Sequence, residues 1–263
     1  MDKDNLRQII NIIATAAMIF VNYLANALPL GGRNTGELAS LYYNDPIKVS
    51  IIPSGYAFAI WGVIYLLLAF FVVYQALPSQ KGNEISRKIG WWYSVTCLFN
   101  IMWIFFWHLL DHVYSIIPML FLLLSLIMLY QKLEIGKAGV SLVDRLAYKA
   151  PFSIYLGWIT VATVVNVSVF IVKIPSLHQF FLSIASTGVW SILVLVVATL
   201  IGSATAFIKK DYLYPLVLVW ALFAIATRND FSSVIGVTSL ICALLMLIDS
   251  IVVVILRVQN KTI

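Results

Sequence analysis

Tryptophan, tyrosine and asparagine side chains at helical spacing are the residues of this sequence best suited to hold a ligand. Trp61 and Tyr65 are four residues apart in an uncharged apolar run over residues 53–75, so they share one face of a helix. Trp and Tyr favour membrane interfaces over lipid-facing positions deep in a span. Their shared face therefore indicates either an aromatic-lined cavity or aromatic packing between helices, and this stretch alone leaves both interpretations open.

Two later apolar segments carry similar residue types. Asn100 and Trp103 are three residues apart and share a face near the middle of their segment, and another segment contains Tyr155, Trp158 and Asn166. Asparagines inside a helix bundle can hydrogen-bond across helices. Aromatic faces combined with a few fixed polar groups suit a flat, apolar ligand.

Asp249 is the only acidic residue within a predicted membrane span. A carboxylate at the centre of a span costs about 2.5–3.5 kcal/mol on insertion scales, so such residues usually face inward and have a function. Arg257 follows closely in the sequence, which also allows an interfacial acid paired with a basic residue. We therefore consider both a role in proton or substrate coupling and a purely interfacial role.

The sequence gives little indication of catalytic or metal chemistry. His108 and His112 have a spacing that can hold a metal on a helix, but a predicted turn intervenes and no third ligand is near in sequence. We therefore expect no metal site. The sequence contains no Walker loop, HExxH or GxSxG motif, so neither a hydrolase nor an ATP-driven pump is indicated, and we do not expect an enzyme.

The composition indicates that the segments carrying these residues are membrane helices. The chain has 263 residues, of which 62% are hydrophobic and 11% charged, whereas soluble domains have about 25% charged residues. Backbone groups in lipid must pair internally, so spans of this kind are helices. We expect an all-α integral membrane protein with about eight transmembrane helices, over residues 6–28, 53–77, 89–109, 115–130, 150–172, 180–208, 213–227 and 234–256.

The distribution of basic residues predicts the orientation. Of the 17 lysines and arginines, all but Arg33, Lys48, Lys173 and Arg228 fall on the side of the predicted spans that holds the termini. Cytoplasmic loops carry the excess of Lys and Arg, so we expect a multi-pass protein of the cell membrane with both termini in the cytoplasm. The positive charge reports this topology, and we expect no nucleic-acid partner.

The motifs of the second, third and fifth predicted spans resemble the TspO/MBR family, the tryptophan-rich sensory proteins related to the mitochondrial translocator protein. The sequence departs from the family pattern where Ile52 and Ile154 replace family prolines and where Phe58 is displaced by one position. The matching residues form a Pro–Trp–Tyr pattern, an Asn–Trp pair and a Tyr–Trp–Ala–Asn series: Pro53, Trp61, Tyr65, Asn100, Trp103, Tyr155, Trp158, Ala162 and Asn166.

The resemblance implies a TspO-like five-helix bundle over residues 1–173, with a long extracytoplasmic loop at residues 29–52. Residues 174–263 would then add three further transmembrane helices. The family pocket lies among the bundle helices under the first loop and accepts porphyrins such as protoporphyrin IX and haem. The residues that carry over as ligand-binding are Pro53, Trp61, Tyr65, Asn100, Trp103, Tyr155, Trp158 and Asn166.

The implied function is binding, transport or sensing of a porphyrin (tetrapyrrole) or a similar flat hydrophobic ligand. The alternatives are a secondary transporter of another small molecule with Asp249 in the coupling, and a membrane enzyme that degrades porphyrins. The expected partners are the lipid bilayer, a hydrophobic small molecule and a second copy of the chain in a homodimer. Porphyrin or haem would be a ligand, and no other cofactor is expected.

Overall fold

The computed structural model describes residues 2–27, 32–44, 48–109, 112–136 and 141–259. The regular elements within these ranges are helices. Short 3₁₀ segments cover Gly55–Ala59 and Pro78–Gln80, and a π-helical turn covers Arg145–Lys149. The α-helices are α1 (Lys3–Asn26), α2 (Thr35–Asn44), α3 (Ile60–Ala76), α4 (Glu84–Ile89), α5 (Trp92–His108), α6 (His112–Lys132), α7 (Leu142–Asp144), α8 (Ala150–Lys173), α9 (Pro175–Ile184), α10 (Thr187–Lys209), α11 (Leu213–Arg228) and α12 (Val234–Gln259).

Six helical stretches of the described residues are long and apolar enough to cross a membrane. They are Lys3–Asn26, Gly55–Ala76, Tyr114–Lys132, Leu142–Lys173, Thr187–Lys209 and Val234–Gln259. The prediction of an all-helical membrane protein is confirmed. Helices α5 and α11 have 17 and 16 residues, whereas a span takes about 20, so the count of eight spans stays a prediction.

Helix α1 exposes apolar residues and buries mostly polar ones, the reverse of a helix in a water-soluble protein. Its exposed face carries Ile9, Ile13 and Phe20. Amphipathic helices in water bury their apolar stripe instead, so this arrangement is that of a helix whose outer face meets lipid. The buried residues recur every three or four positions and are mostly polar: Asp4, Arg7, Gln8, Asn11, Thr15, Met18, Asn22 and Ala25.

The chain forms two compact units, and the first comprises Met1–Thr35 and Ala59–Ile159. In this unit α1 packs against α3 and α5, and α5 packs against α6. The polar face of α1 is paired: Gln8 Nε2 donates to the Gln75 carbonyl at 2.6 Å, and the hydroxyls of Thr15 and Tyr93 are 2.7 Å apart. These bonds fix which face of α1 points inward.

The second compact unit comprises Gly36–Phe58 and Thr160–Ile263, where α12 packs against α10 and α11. The buried face of α12 is rich in small residues, among them Gly236 and Ser239, which let helix backbones approach closely. At the end of α11, Asn229 Nδ2 donates to the Ser50 carbonyl at 2.7 Å and Arg228 Nη1 donates to the Pro53 carbonyl at 3.0 Å. These bonds hold the segment before α3 against α11.

Two sequence predictions about helix boundaries were wrong. The expected single helix over 180–208 is two helices, α9 and α10, because Ser186 caps α10 by accepting a hydrogen bond from the Val189 N–H. The span expected from residue 89 begins at Trp92, because Gly90 ends α4 with a φ of +55°, a conformation that glycine adopts readily. The predicted loop at 29–52 contains helix α2, which begins within the turn signal Asn34–Thr35–Gly36; the prediction of an extracytoplasmic connection stays a prediction.

Two other sequence predictions stay predictions. The pair Asp45–Pro46 is a turn signal in the sequence, and the turn that it predicts lies outside the described residues. The domain division predicted at residue 173 also stays a prediction. Along the chain, the boundary between the two compact units falls within α8, between Ile159 and Thr160.

Candidate functional site

Trp61 is the centre of an aromatic cluster in the first unit. Its ring stacks on Tyr65, with centroids 5.4 Å apart and planes 17° apart, and on Trp103, with centroids 6.0 Å apart. The rings of Tyr155 and Trp158 meet it edge-on, at centroid distances of 5.9 and 6.4 Å. Both geometries are favoured for aromatic pairs. Five of the residues predicted from the sequence are thus in one cluster.

Helix geometry explains how three separate segments supply these rings. Trp61 and Tyr65 come from successive turns of α3, Trp103 from α5, and Tyr155 and Trp158 from α8. Residues three or four positions apart share a helix face, so each helix presents its aromatic residues to the same place.

Asn100 connects the cluster to α1 through a buried hydrogen-bonded chain. Its Nδ2 donates to the Tyr155 hydroxyl at 2.8 Å, and its Oδ1 accepts from Asn22 Nδ2 at 2.7 Å. Asn22 Nδ2 also donates to the Met18 carbonyl at 2.9 Å. Asn100 and Tyr155 are fully buried. The chain therefore ties α1, α5 and α8 together in the apolar interior beside the Trp61 cluster.

Trp107 belongs to the same aromatic stack, although the sequence analysis did not include it among the site residues. Its ring stacks on Trp103 with centroids 5.9 Å apart, and its Nε1 lies 3.4 Å from the Thr35 carbonyl. Trp107 follows Trp103 by four positions and Asn100 by seven, a spacing that keeps all three on one helix face. This spacing was the signal that could have identified it.

The remaining predicted ligand-binding residues, Pro53 and Asn166, lie in the second unit. The Pro53 carbonyl accepts a hydrogen bond from Arg228, and Asn166 Nδ2 donates to the Ala162 carbonyl at 2.8 Å. These contacts give both residues structural roles within that unit. Their assignment to the ligand site stays a prediction.

Asp249 lies half-buried in α12, and its carboxylate accepts a hydrogen bond from the Ser203 hydroxyl of α10. The ion pairs found among the described residues do not include Asp249. The interfacial pairing with Lys or Arg considered from the sequence is therefore not seen in the described part of the chain. A hydroxyl donor satisfies one oxygen of the carboxylate without neutralising its charge.

The histidine side chains that the structure describes show no grouping typical of a metal site. His108 Nε2 lies 3.2 Å from the Thr35 hydroxyl, while the side chain of His112 lies outside the described residues. Within the described ranges, no group of three or more His, Cys, Asp or Glu side chains is placed to hold a metal ion.

Comparison with known proteins identifies the family. A family model described as TSPO-like protein matches residues 8–252, which extends past residue 173, where the resemblance placed the end of the five-helix bundle. Searches of curated proteins and of solved structures gave no match. The match covers most of the chain and agrees with the helical membrane architecture and the Trp–Tyr–Asn pattern, so the chain belongs to the family of TSPO-like proteins.

Proposed function

We propose that this protein binds a flat, hydrophobic ligand of the porphyrin class in the first compact unit. The observation that carries the proposal is the cluster around Trp61, where four other aromatic rings lie within 6.4 Å of the Trp61 ring. Aromatic faces bind planar ligands by stacking, and ligand sites are mostly apolar with a few placed polar groups. Sensing or transport of such a ligand would follow from its binding.

Entry of the ligand would require the rings of the cluster to separate. The rings of Tyr65 and Trp103 both stack on Trp61, so a macrocycle must separate at least one of these pairs and replace its contacts with stacking on the ligand. The Asn22–Asn100–Tyr155 chain holds the base of the cluster in place while the rings part. Asn22 Oδ1 is buried without a hydrogen-bond partner among the described residues, which leaves it available to accept one from a bound ligand.

A titration of purified, detergent-solubilised protein with protoporphyrin IX, followed by tryptophan fluorescence, tests the proposal. We expect saturable quenching. Trp61→Phe and Trp158→Phe should each weaken binding by up to about tenfold, because the smaller ring keeps only part of an aromatic contact worth about 0.5–1.5 kcal/mol. Trp91→Phe is the matched control, because Trp91 is exposed and lies outside the cluster. Binding that remains unchanged in both Trp61→Ala and Trp158→Ala would refute the assignment.

A second candidate function is coupled transport of a small molecule with Asp249 as the coupling group. The supporting observation is the Ser203–Asp249 hydrogen bond, which joins α10 and α12 through a carboxylate inside a span. Intramembrane carboxylates often relay protons. Uptake by vesicles should then lose its pH dependence in Asp249→Asn and keep it in Ser203→Ala. Uptake by Asp249→Asn that equals wild type at every pH would remove this function.

The proposed setting is the cell membrane, with both termini in the cytoplasm and the segment between α1 and α3 outside. The distribution of Lys and Arg supports this orientation. Residues 1–173 would form the ligand-binding bundle, and a homodimer is the proposed assembly. Reporter fusions at the C-terminus test the orientation, and cross-linking in native membranes tests the homodimer.

A further inference from the structure

The second compact unit contains a cavity that includes none of the predicted ligand-binding residues. Its volume is about 380 Å³, and it is lined by α8 from residue 160 to 172, by α9, by α10 from residue 187 to 201 and by residues 48–51. This volume lies at the lower end of the range of about 300–1,000 Å³ for small-molecule sites. We call this cavity the α8–α10 groove.

The body of the groove is long, narrow and apolar. Val164 and Val167 of α8 face Val194 and Val197 of α10 across it. From Thr187 to Ile201 the wall extends over 14 residues, or about 21 Å at 1.5 Å per residue. The hydrocarbon core of one leaflet is about 15 Å deep. The groove is therefore long enough to take an acyl chain that extends over the depth of one leaflet.

The groove is accessible from the side of the unit. Val197 is 46% exposed and Val167 is 37% exposed, although both line it. In a membrane helix such exposed aliphatic side chains meet lipid. An acyl chain can therefore enter sideways from the bilayer and needs no opening to water.

One end of the groove is polar and positively charged. Lys48 lies there with its Nζ 4.2 Å from the centroid of the Tyr43 ring, and Thr187 and Ser191 lie there at the start of α10. His178 Nε2 is buried without a hydrogen-bond partner among the described residues. The N-terminus of α10 adds its partial positive charge. The described lining residues include no Asp or Glu, so this end favours an anion.

We propose that the α8–α10 groove binds a long-chain fatty acid, with the acyl chain along α8 and α10 and the carboxylate at Lys48 and His178. A carboxylate accepts charge-assisted hydrogen bonds from an ammonium and from an imidazole N–H. The small volume and the single apolar channel select one chain over the two chains of a phospholipid. This site shares no residue with the Trp61 cluster, so it stands independently of the porphyrin proposal.

Stearic acid carrying a nitroxide at carbon 5 is the probe, because Trp190 lines the groove one turn inside its polar end and nitroxides quench tryptophan on contact. The full-length protein is titrated in detergent with this acid and, separately, with its methyl ester, which has the same chain and quencher but no charge. We expect saturable quenching that is stronger for the acid, and loss of the saturable component in Trp190→Phe.

Two pairs of measurements locate the bound molecule. Lys48→Gln should weaken binding of the acid about fivefold, the size of one partly exposed charge pair, and leave the ester unchanged. Val197→Phe should abolish saturable binding by filling the groove. Val196→Phe is the same substitution on the same helix, at a position that is 43% exposed and does not line the groove, and it should bind like wild type. Equal affinity for acid and ester, or identical behaviour of the two phenylalanine variants, would overturn the proposal.

Discussion

Replacing Tyr155 with phenylalanine removes one hydrogen bond and keeps the ring in the Trp61 cluster. The Tyr155 hydroxyl accepts from Asn100 Nδ2 at 2.8 Å, and both residues are fully buried. The variant therefore leaves the amide donor of Asn100 without this acceptor. The edge-on contact with Trp61 is unaffected, so a change in stability reports the hydrogen bond.

The magnitude follows from hydrogen bonds between membrane helices, which contribute about 0.6 kcal/mol on average and up to about 1.7 kcal/mol. We place Tyr155→Phe toward the upper part of this range, because Asn100 is fully buried and also holds Asn22 at 2.7 Å. The assay is reversible unfolding in mixed micelles, followed by tryptophan fluorescence. Tyr23→Phe is the control, since Tyr23 is exposed on α1 and should leave the free energy of unfolding unchanged.

A double-mutant cycle with Asn100→Leu isolates the pair. In the Asn100→Leu background, Tyr155→Phe should have almost no effect, because the donor has already been removed. Contacting residues deviate from additivity by about 0.5 kcal/mol or more, whereas independent sites add within about 0.3–0.5 kcal/mol. Additive effects of the two substitutions would refute a hydrogen bond between α5 and α8 at this position.

One further substitution in each compact unit, with its own control, tests the contacts within that unit. Gly236→Ala should lower the free energy of unfolding by about 1–3 kcal/mol, the usual cost of overpacking, because the added Cβ would overlap the carbonyl oxygen of Asp230. Gly188→Ala is the control: it lies in the first turn of another helix, where an added Cβ would meet no close neighbour, and it should be neutral or slightly stabilising. Asp4→Asn should lower the midpoint of thermal unfolding, because the buried carboxylate pairs with two arginines. Lys81→Gln removes a half-exposed ion pair and should leave the midpoint unchanged. Equal midpoints for these two variants would contradict a structural role for Asp4.

The aromatic part of the site could be predicted from the sequence because helical periodicity fixes which residues share a face. The spacing of Trp61 and Tyr65 already implied a common face, and the structure brings Trp103, Tyr155 and Trp158 to it. What the spacing could not decide was whether the rings line a cavity or pack together. That depends on the distances between α3, α5 and α8, which no local pattern encodes, and in the structure the rings contact one another.

The α8–α10 groove could not be predicted, because its walls are ordinary valines and threonines on segments separated by the α9 turn. The one local signal was Ser186, a favourable N-cap residue inside a stretch that was assigned to a single helix. Recognising that break would have predicted α9 and α10 as separate helices. The position of Lys48 at the mouth would still have required the fold, since over 100 residues separate it from the α8 wall.

Helix α1 has a consequence for how the chain enters the membrane. It is the least apolar of the six long helices, and several of its buried polar side chains bond to later helices, as Gln8 does with Gln75 of α3, Asp4 with Arg87 of α4 and Asn22 with Asn100 of α5. Alone in lipid it would leave those groups unpaired, at a cost for each one. We expect α1 to remain at the insertion machinery until α5 has been synthesised, and truncated chains that end before α5 should show incomplete integration of α1 in a microsomal insertion assay. Although α1 is made before α5, it would then reach its final position only after α5, and its polar stripe would set its rotation about its own axis.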